Sequence, residues 1–106
     1  MRPIGNDATT ALLRALSVDF VGFAPVFEEI KSRSWASATF VGARHELTFR
    51  VCGDGAEAAA ERFAATLDVA EFQLRGNIVA DITLLSKEAC DGGFRLRLEA
   101  LTVEDG

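Results

Sequence analysis

The residues of this chain best able to do chemistry are few and widely spaced. His45 is the single histidine, in the tract Arg44-His45-Glu46. Imidazole titrates near neutrality, so His45 oriented by Glu46 is the natural candidate for a general base. An ordinary polar residue in a hairpin loop is the plainer alternative. A nucleophilic triad or a metal centre needs further partners at defined geometry, and the neighbouring sequence supplies none, so neither a metal nor a cofactor is expected. Cys52 and Cys90 are the only cysteines and form no CxxC pair. Cys52 precedes an expected helix N-terminus, where a thiolate is favoured, but has no basic neighbour in sequence. A half-buried structural thiol at Cys52 and an exposed one at Cys90 are the expectations. Gly53-Asp54-Gly55 also precedes that helix. Asp54 would oppose a bound anion there, and neither GxGxxG nor GxxxxGK[ST] occurs.

A second group is defined by face rather than by motif. Arg50, Arg75, Arg97 and Asp81 fall on the polar side of alternating segments. With Arg44 and His45 they could form a basic pocket for a carboxylate or phosphate. Mixed charges of this kind are also what a solvated sheet face uses for cross-strand pairs. Trp35 is the only Trp and Tyr is absent. An exposed Trp would mark a binding surface, whereas a Trp closing one end of a Phe-rich core is the duller alternative.

The elements that must position these residues are legible in the last two-thirds of the chain. Alternation over 36–41 and 46–52, with Gly42-Ala43-Arg44-His45 between, predicts a hairpin with a four-residue loop. Pairing Val41 with Glu46 sets Phe40 on Leu47, Ala38 on Phe49 and Ala36 on Val51. Ala56, Ala60, Phe63, Ala64 and Leu67 recur at helical spacing. They predict a helix over 54–68, capped by Asp54 with Glu57 three positions on. From Phe72 to Leu84 every second residue is apolar or Gly. This predicts a long strand over 72–86, then a turn at Cys90-Asp91-Gly92-Gly93 and a returning strand from Phe94 to Val103. Phe94, Leu96 and Leu98 continue the core face, but Leu101 and Val103 fall on the polar one. Either a β-bulge near Glu99-Ala100 restores them to the core, or the second face is locally apolar. In the straight register Val79 pairs with Val103, and Val79, Leu101 and Val103 make an outer apolar patch of the kind that marks interfaces.

Residues 1–34 read as a helical or irregular segment, with a helix over Asp7–Leu16 and a short one starting at Pro25, where Glu28 and Glu29 suit its positive end. One helix over 54–68 is too short to cover strands of this length. The N-terminal third, a strand bend or a second subunit must therefore shield Ile82, Leu84 and Leu98. The expected fold is α+β: one domain over 1–106, with a four-stranded antiparallel sheet from two hairpins flanking a helix (ββαββ, residues 35–104) behind an N-terminal helical segment.

Bulk composition bounds the partners. With 106 residues, 49% hydrophobic and 25% charged, the chain suits a single globular core. A net charge of -5 and nine scattered arginines argue against nucleic acid. No run is long and apolar enough for a membrane span, and the N-terminus lacks a signal peptide's shape. A bacterial cytoplasmic location is expected, from the two lone cysteines and an Ala- and Arg-rich composition. The expected function is a non-enzymatic homodimeric module that binds a protein partner or assists assembly. The alternative is a small enzyme or anionic-ligand binder using His45, Arg50 and Asp81 on the outer sheet face.

Overall fold

A computed structural model describes residues 8–23, 25–67, 72, 74 and 76–104. Its elements, in chain order, are α1 (Ala8–Asp19), β1 (Val26–Ala36), β2 (Val41–Cys52), α2 (Ala56–Thr66), β3 (Asn77–Cys90) and β4 (Gly93–Glu104). The four strands form one antiparallel sheet in the order β1-β2-β4-β3. The expected α+β architecture is therefore present: an N-terminal helix, two hairpins, and a helix between them. No helix among the described residues is long and apolar enough to cross a membrane.

The first hairpin is displaced from its expected place. Residues 26–36 form a strand, not the short helix expected from Pro25, and the turn is Ser37–Phe40 rather than Gly42–His45. Local helix signals lose here to pairing with β2, which sets Phe27 on Phe49 with ring centroids 5.3 Å apart. Ser37 closes the turn: its N–H donates to the Phe40 carbonyl at 2.8 Å, and its hydroxyl accepts from the Phe40 N–H at 3.0 Å. Gly42 serves as a strand residue over which the Trp35 ring lies, not as a turn residue. A Cβ on Gly42 would run into the Thr102 carbonyl oxygen and stand 2.9 Å from Trp35 Cζ2.

Helix α2 starts at Gly55, which has φ 87° and no side-chain cap. The expected Asp54–Glu57 capping box does not form, because left-handed backbone at Gly53 and Gly55 makes the entry turn instead. The helix buries Ala56, Ala59, Ala60 and Phe63, with Ala64 only half-buried. Helix α1 adds Leu12 and Leu16 to the same core, and Phe20, just past its end, joins them. The N-terminal third thus supplies the cover that α2 is too short to give. Phe20 packs against Phe49 and Phe63 at centroid distances of 5.5 and 5.1 Å, tying both helices to the sheet.

The expected strand over 72–86 runs instead from Asn77 to Cys90. Gly76, at φ 77°, makes a turn before it. The second hairpin closes through Asp91-Gly92, with Gly92 at φ 78°, as a two-residue loop requires. The bulges lie in β3, not near Glu99-Ala100: register shifts fall between Val79 and Asp81 and between Leu84 and Ser86. Strand β4 is regular, with Leu96, Leu98, Ala100 and Thr102 buried beneath the helices. Leu101 and Val103 consequently stay on the opposite face. Val79 pairs with Thr102 rather than Val103 and packs against the core. The extra residue, Ala80, flips the phase of β3, so Ile78 and not Val79 stands opposite Val103.

Candidate functional site

The pairings arrange the helix-free face in rows that run across β1, β2, β4 and β3. At one end lies Trp35–Gly42–Val103–Ile78, and next to it Arg33–Arg44–Leu101–Asp81. The following rows are Lys31–Glu46–Glu99–Thr83, Glu29–Thr48–Arg97–Ser86 and Val26–Arg50–Arg95–Glu88. The middle of this face is charged and largely self-neutralised. Arg44 Nη1 meets Glu99 Oε1 at 3.0 Å. Glu28, the extra residue at the β1 bulge, holds Arg95 through bonds of 2.6 and 3.3 Å, with Arg50 at 3.9 Å. The Arg95 hydrogen bond is the main reason the Glu28 carboxyl stays below the ordinary glutamate range. Its carboxylate likewise raises the Arg95 guanidinium.

The Trp35 end differs. Trp35, Leu101, Val103 and Ile78 put apolar groups side by side on a face whose other rows are mostly charged or polar, and Ile78 is 51% exposed. The Trp35 Nε1–H is shielded from water and has no hydrogen-bond partner among the described residues. Arg33, Trp35, Arg44 and Leu101 line a hollow of about 250 Å³. Arg33 makes no ion pair among the described residues, whereas the guanidinium of Arg44 is anchored by Glu99. This end therefore offers an apolar surface and one uncommitted cation to whatever lies against it, while the indole N–H stays shielded beneath that surface.

The residues proposed from sequence are not brought together. Arg44, Arg50, Arg97 and Asp81 do lie on the helix-free face, but Arg44 and Asp81 share a row with the β4 residue Leu101 between them, and Arg50 and Arg97 lie in two other rows. Arg75 lies outside the described residues. His45 is on the other face, fully buried beneath the helices, in the row Ser32–His45–Ala100–Ile82. It is neither a loop residue nor a neighbour of Arg50 and Asp81. The reason is phase: His45 is in step with Leu47, Phe49 and Val51, all of which face the core. Its Nδ1 is 2.8 Å from Ser32 Oγ and 3.4 Å from Thr9 Oγ1, and those two hydroxyls are 2.8 Å apart. Its Nε2 is 2.9 Å from Thr102 Oγ1, and that hydroxyl donates to the Ala43 carbonyl at 3.3 Å. The Thr102 hydroxyl therefore serves both the imidazole and the Ala43 carbonyl. This chain of hydrogen bonds ties α1, β1, β2 and β4 together and satisfies a polar ring inside the core.

The thiols also depart from expectation. Cys52 is exposed and Cys90 half-buried, since Cys52 closes β2 on the helix-free face and Cys90 pairs with Gly93 beside it. Among the described residues no group of three or more metal-ligating side chains assembles. What the sequence pattern missed was the Trp35 row. Its signal was present in Leu101 and Val103, but its outer members, Trp35 and Ile78, depend on a hairpin register and a bulge. Comparisons of this chain with protein-family models, curated proteins and solved structures find no match.

Proposed function

We propose that this chain is a non-enzymatic homodimeric binding or assembly module of the bacterial cytoplasm, with the Trp35 end of the helix-free face as the surface that receives a protein partner. The observation that carries it is the row Trp35–Gly42–Val103–Ile78 with Leu101 beside it, an apolar cluster next to rows that are mostly charged or polar. Aromatic anchors with a neighbouring Arg are the usual energetic centre of protein interfaces. The test is a photo-reactive amino acid placed at Arg33 in cells, with the same probe at Glu88 on the same face as control. A defined adduct heavier than two chains at Arg33 alone, abolished by Val103→Lys, is expected. Equal adducts at both positions, or none at Arg33, would overturn the assignment.

A second reading, capture of a small anion, is favoured by the hollow between Arg33, Arg44 and Trp35. Trp35 is the only Trp, so its fluorescence reports the site directly. A saturable change on titrating inorganic phosphate or a simple carboxylate, lost in Arg33→Gln, would favour the anion over the protein partner. The enzymatic version of that reading loses its base, because the sheet separates His45 from Arg50 and Asp81.

A further inference from the structure

We propose that the β1 edge pairs antiparallel with the β1 edge of a second copy of this chain, about a two-fold axis through Ile30; this rests on the homodimeric reading above and names its interface. The sheet has two margins, β1 and β3. Strand β3 is interrupted by two bulges, which spoil an edge for pairing. Strand β1 has one, at Glu28, and is regular from Glu29 to Ala36. A pairing centred on Ile30 runs regularly over Glu29, Ile30 and Lys31 and meets each copy's Glu28 bulge opposite Ser32 of the other. The Ser37 N–H to Phe40 carbonyl bond sets the phase of the ladder. Bonded pairs alternate in an antiparallel ladder, so Glu29, Lys31, Arg33 and Trp35 direct their backbone groups to β2. Ile30, Ser32, Ser34 and Ala36 direct theirs outward, where no described residue pairs with them, as a template for another strand.

The charge pattern selects the occupant. Glu28 and Glu29 make one end of this edge acidic, Lys31 and Arg33 make the other basic, and Ile30 stands between. An axis through Ile30 sets Glu29 of each copy opposite Lys31 of the other, with Arg33 beside the other copy's Glu28 bulge. Neighbouring registers fail. An axis through Glu29 or through Lys31 sets that residue against itself, and one through Ser32 sets Lys31 against Arg33. A uniformly acidic strand would suit Lys31 and Arg33 but oppose Glu28 and Glu29. Charges on an edge strand ordinarily prevent pairing; here one register turns them into opposite-sign cross-strand pairs. Ile30 is 44% exposed on the helix-bearing face, next to half-buried Phe27, and at the axis it covers its own counterpart.

Sedimentation equilibrium on the wild type, Glu29→Lys, Lys31→Glu and the double reversal tests this. Each single change replaces two opposite pairs by two like pairs, so the dimer Kd should rise roughly thirtyfold. The double reversal restores both pairs and should return Kd to within a few-fold of wild type, which a variant that merely misfolds would not do. A dimer whose Kd ignores the single reversals, or is not rescued by the double one, would overturn the β1 interface and leave the homodimeric reading standing. A wild type that stays monomeric at every concentration would overturn both. The Trp35 surface is tested by the cross-linking experiment, in which the β1 pairing by itself would give an adduct of two chains only.

Discussion

Replacing Thr102 with Val keeps the shape of the side chain and removes the hydroxyl that pairs with His45 Nε2. Thr102 and His45 are both fully buried, and the contact between them is 2.9 Å. Water cannot take the place of the lost partner, so the imidazole Nε2 is left unpaired with Thr102 in the core, at a cost of about 1–3 kcal/mol. The bond from Thr102 to the Ala43 carbonyl is longer, at 3.3 Å. Its loss adds less, since Ala43 and Thr102 remain paired in the β2–β4 ladder. The expected total is about 2 kcal/mol, which for a domain of this size lowers Tm by roughly 10 °C. Ser32→Ala should cost less than about 1 kcal/mol, because Ser32 is exposed and water can replace its hydroxyl. Urea unfolding at neutral pH reads both. His45→Leu supplies the control: once the ring is gone, Thr102→Val orphans no imidazole nitrogen. The two changes should then be non-additive by about 1 kcal/mol or more. A Thr102→Val variant within ~0.3 kcal/mol of wild type, or strict additivity in the cycle, would show that the network does not support the core as described.

Two carboxylates give opposite pH signatures. Glu28 is held low mainly by its Arg95 bond, so its contribution is present above the ordinary glutamate pKa and fades as pH falls through its own lower value. Glu28→Gln should be less stable than wild type at neutral pH, and the two melting curves should converge in acid. Asp19, the last residue of α1, is raised by burial, so its charge becomes a liability as pH rises through its folded value. Asp19→Asn, which also removes a negative charge from a helix C-terminus, should gain roughly a few tenths of a kcal/mol at neutral pH and lose that gain in acid. Gly42→Ala drives a methyl group against the Thr102 carbonyl and the Trp35 ring. It should destabilise by about 2–3 kcal/mol and change the Trp35 emission spectrum in the folded state.

Elements whose signal is complete within a short stretch of chain are legible in the sequence. Asp91-Gly92 carries the left-handed position its turn needs, and Leu96 and Leu98 sit where strict alternation puts them. Ala56, Ala60 and Phe63 mark the buried stripe of α2 by spacing alone. The features that escape such reading depend on a partner strand. Gly42 resembles a turn glycine, but its missing side chain makes room for Trp35. Glu28 and Glu29 resemble the first turn of a helix, but Glu28 is a bulge residue reaching Arg95 across the sheet. In β3 the alternation from Ile78 to Leu84 is unbroken in sequence, yet a one-residue bulge at Ala80 puts Ile78 and Ile82 on opposite faces. The burial of His45 follows from counting back along β2 from Leu47, Phe49 and Val51. A hairpin loop inferred from Gly42 conceals that phase.

The two proposed surfaces share one strand. Along β1, Lys31, Arg33 and Trp35 point to the helix-free face, while the outward backbone groups belong to the residues between them. Pairing two copies at Ile30 therefore leaves both Trp35 rows uncovered and places them on the same face of a continuous sheet. Each Trp35 is five residues from the axis on its own strand, so the two stand roughly 33 Å apart along the strand direction at ~3.3 Å per residue. A partner carrying two copies of its own contact segment, linked by a span of that order, would gain avidity from the dimer that a monomer cannot give. The charge-reversal variants then separate contact from avidity: Glu29→Lys should leave the affinity of a single segment for the Trp35 row unchanged and abolish only the bivalent enhancement. A Glu29→Lys protein that loses single-segment binding as well would mean that the edge and the face are not independent surfaces.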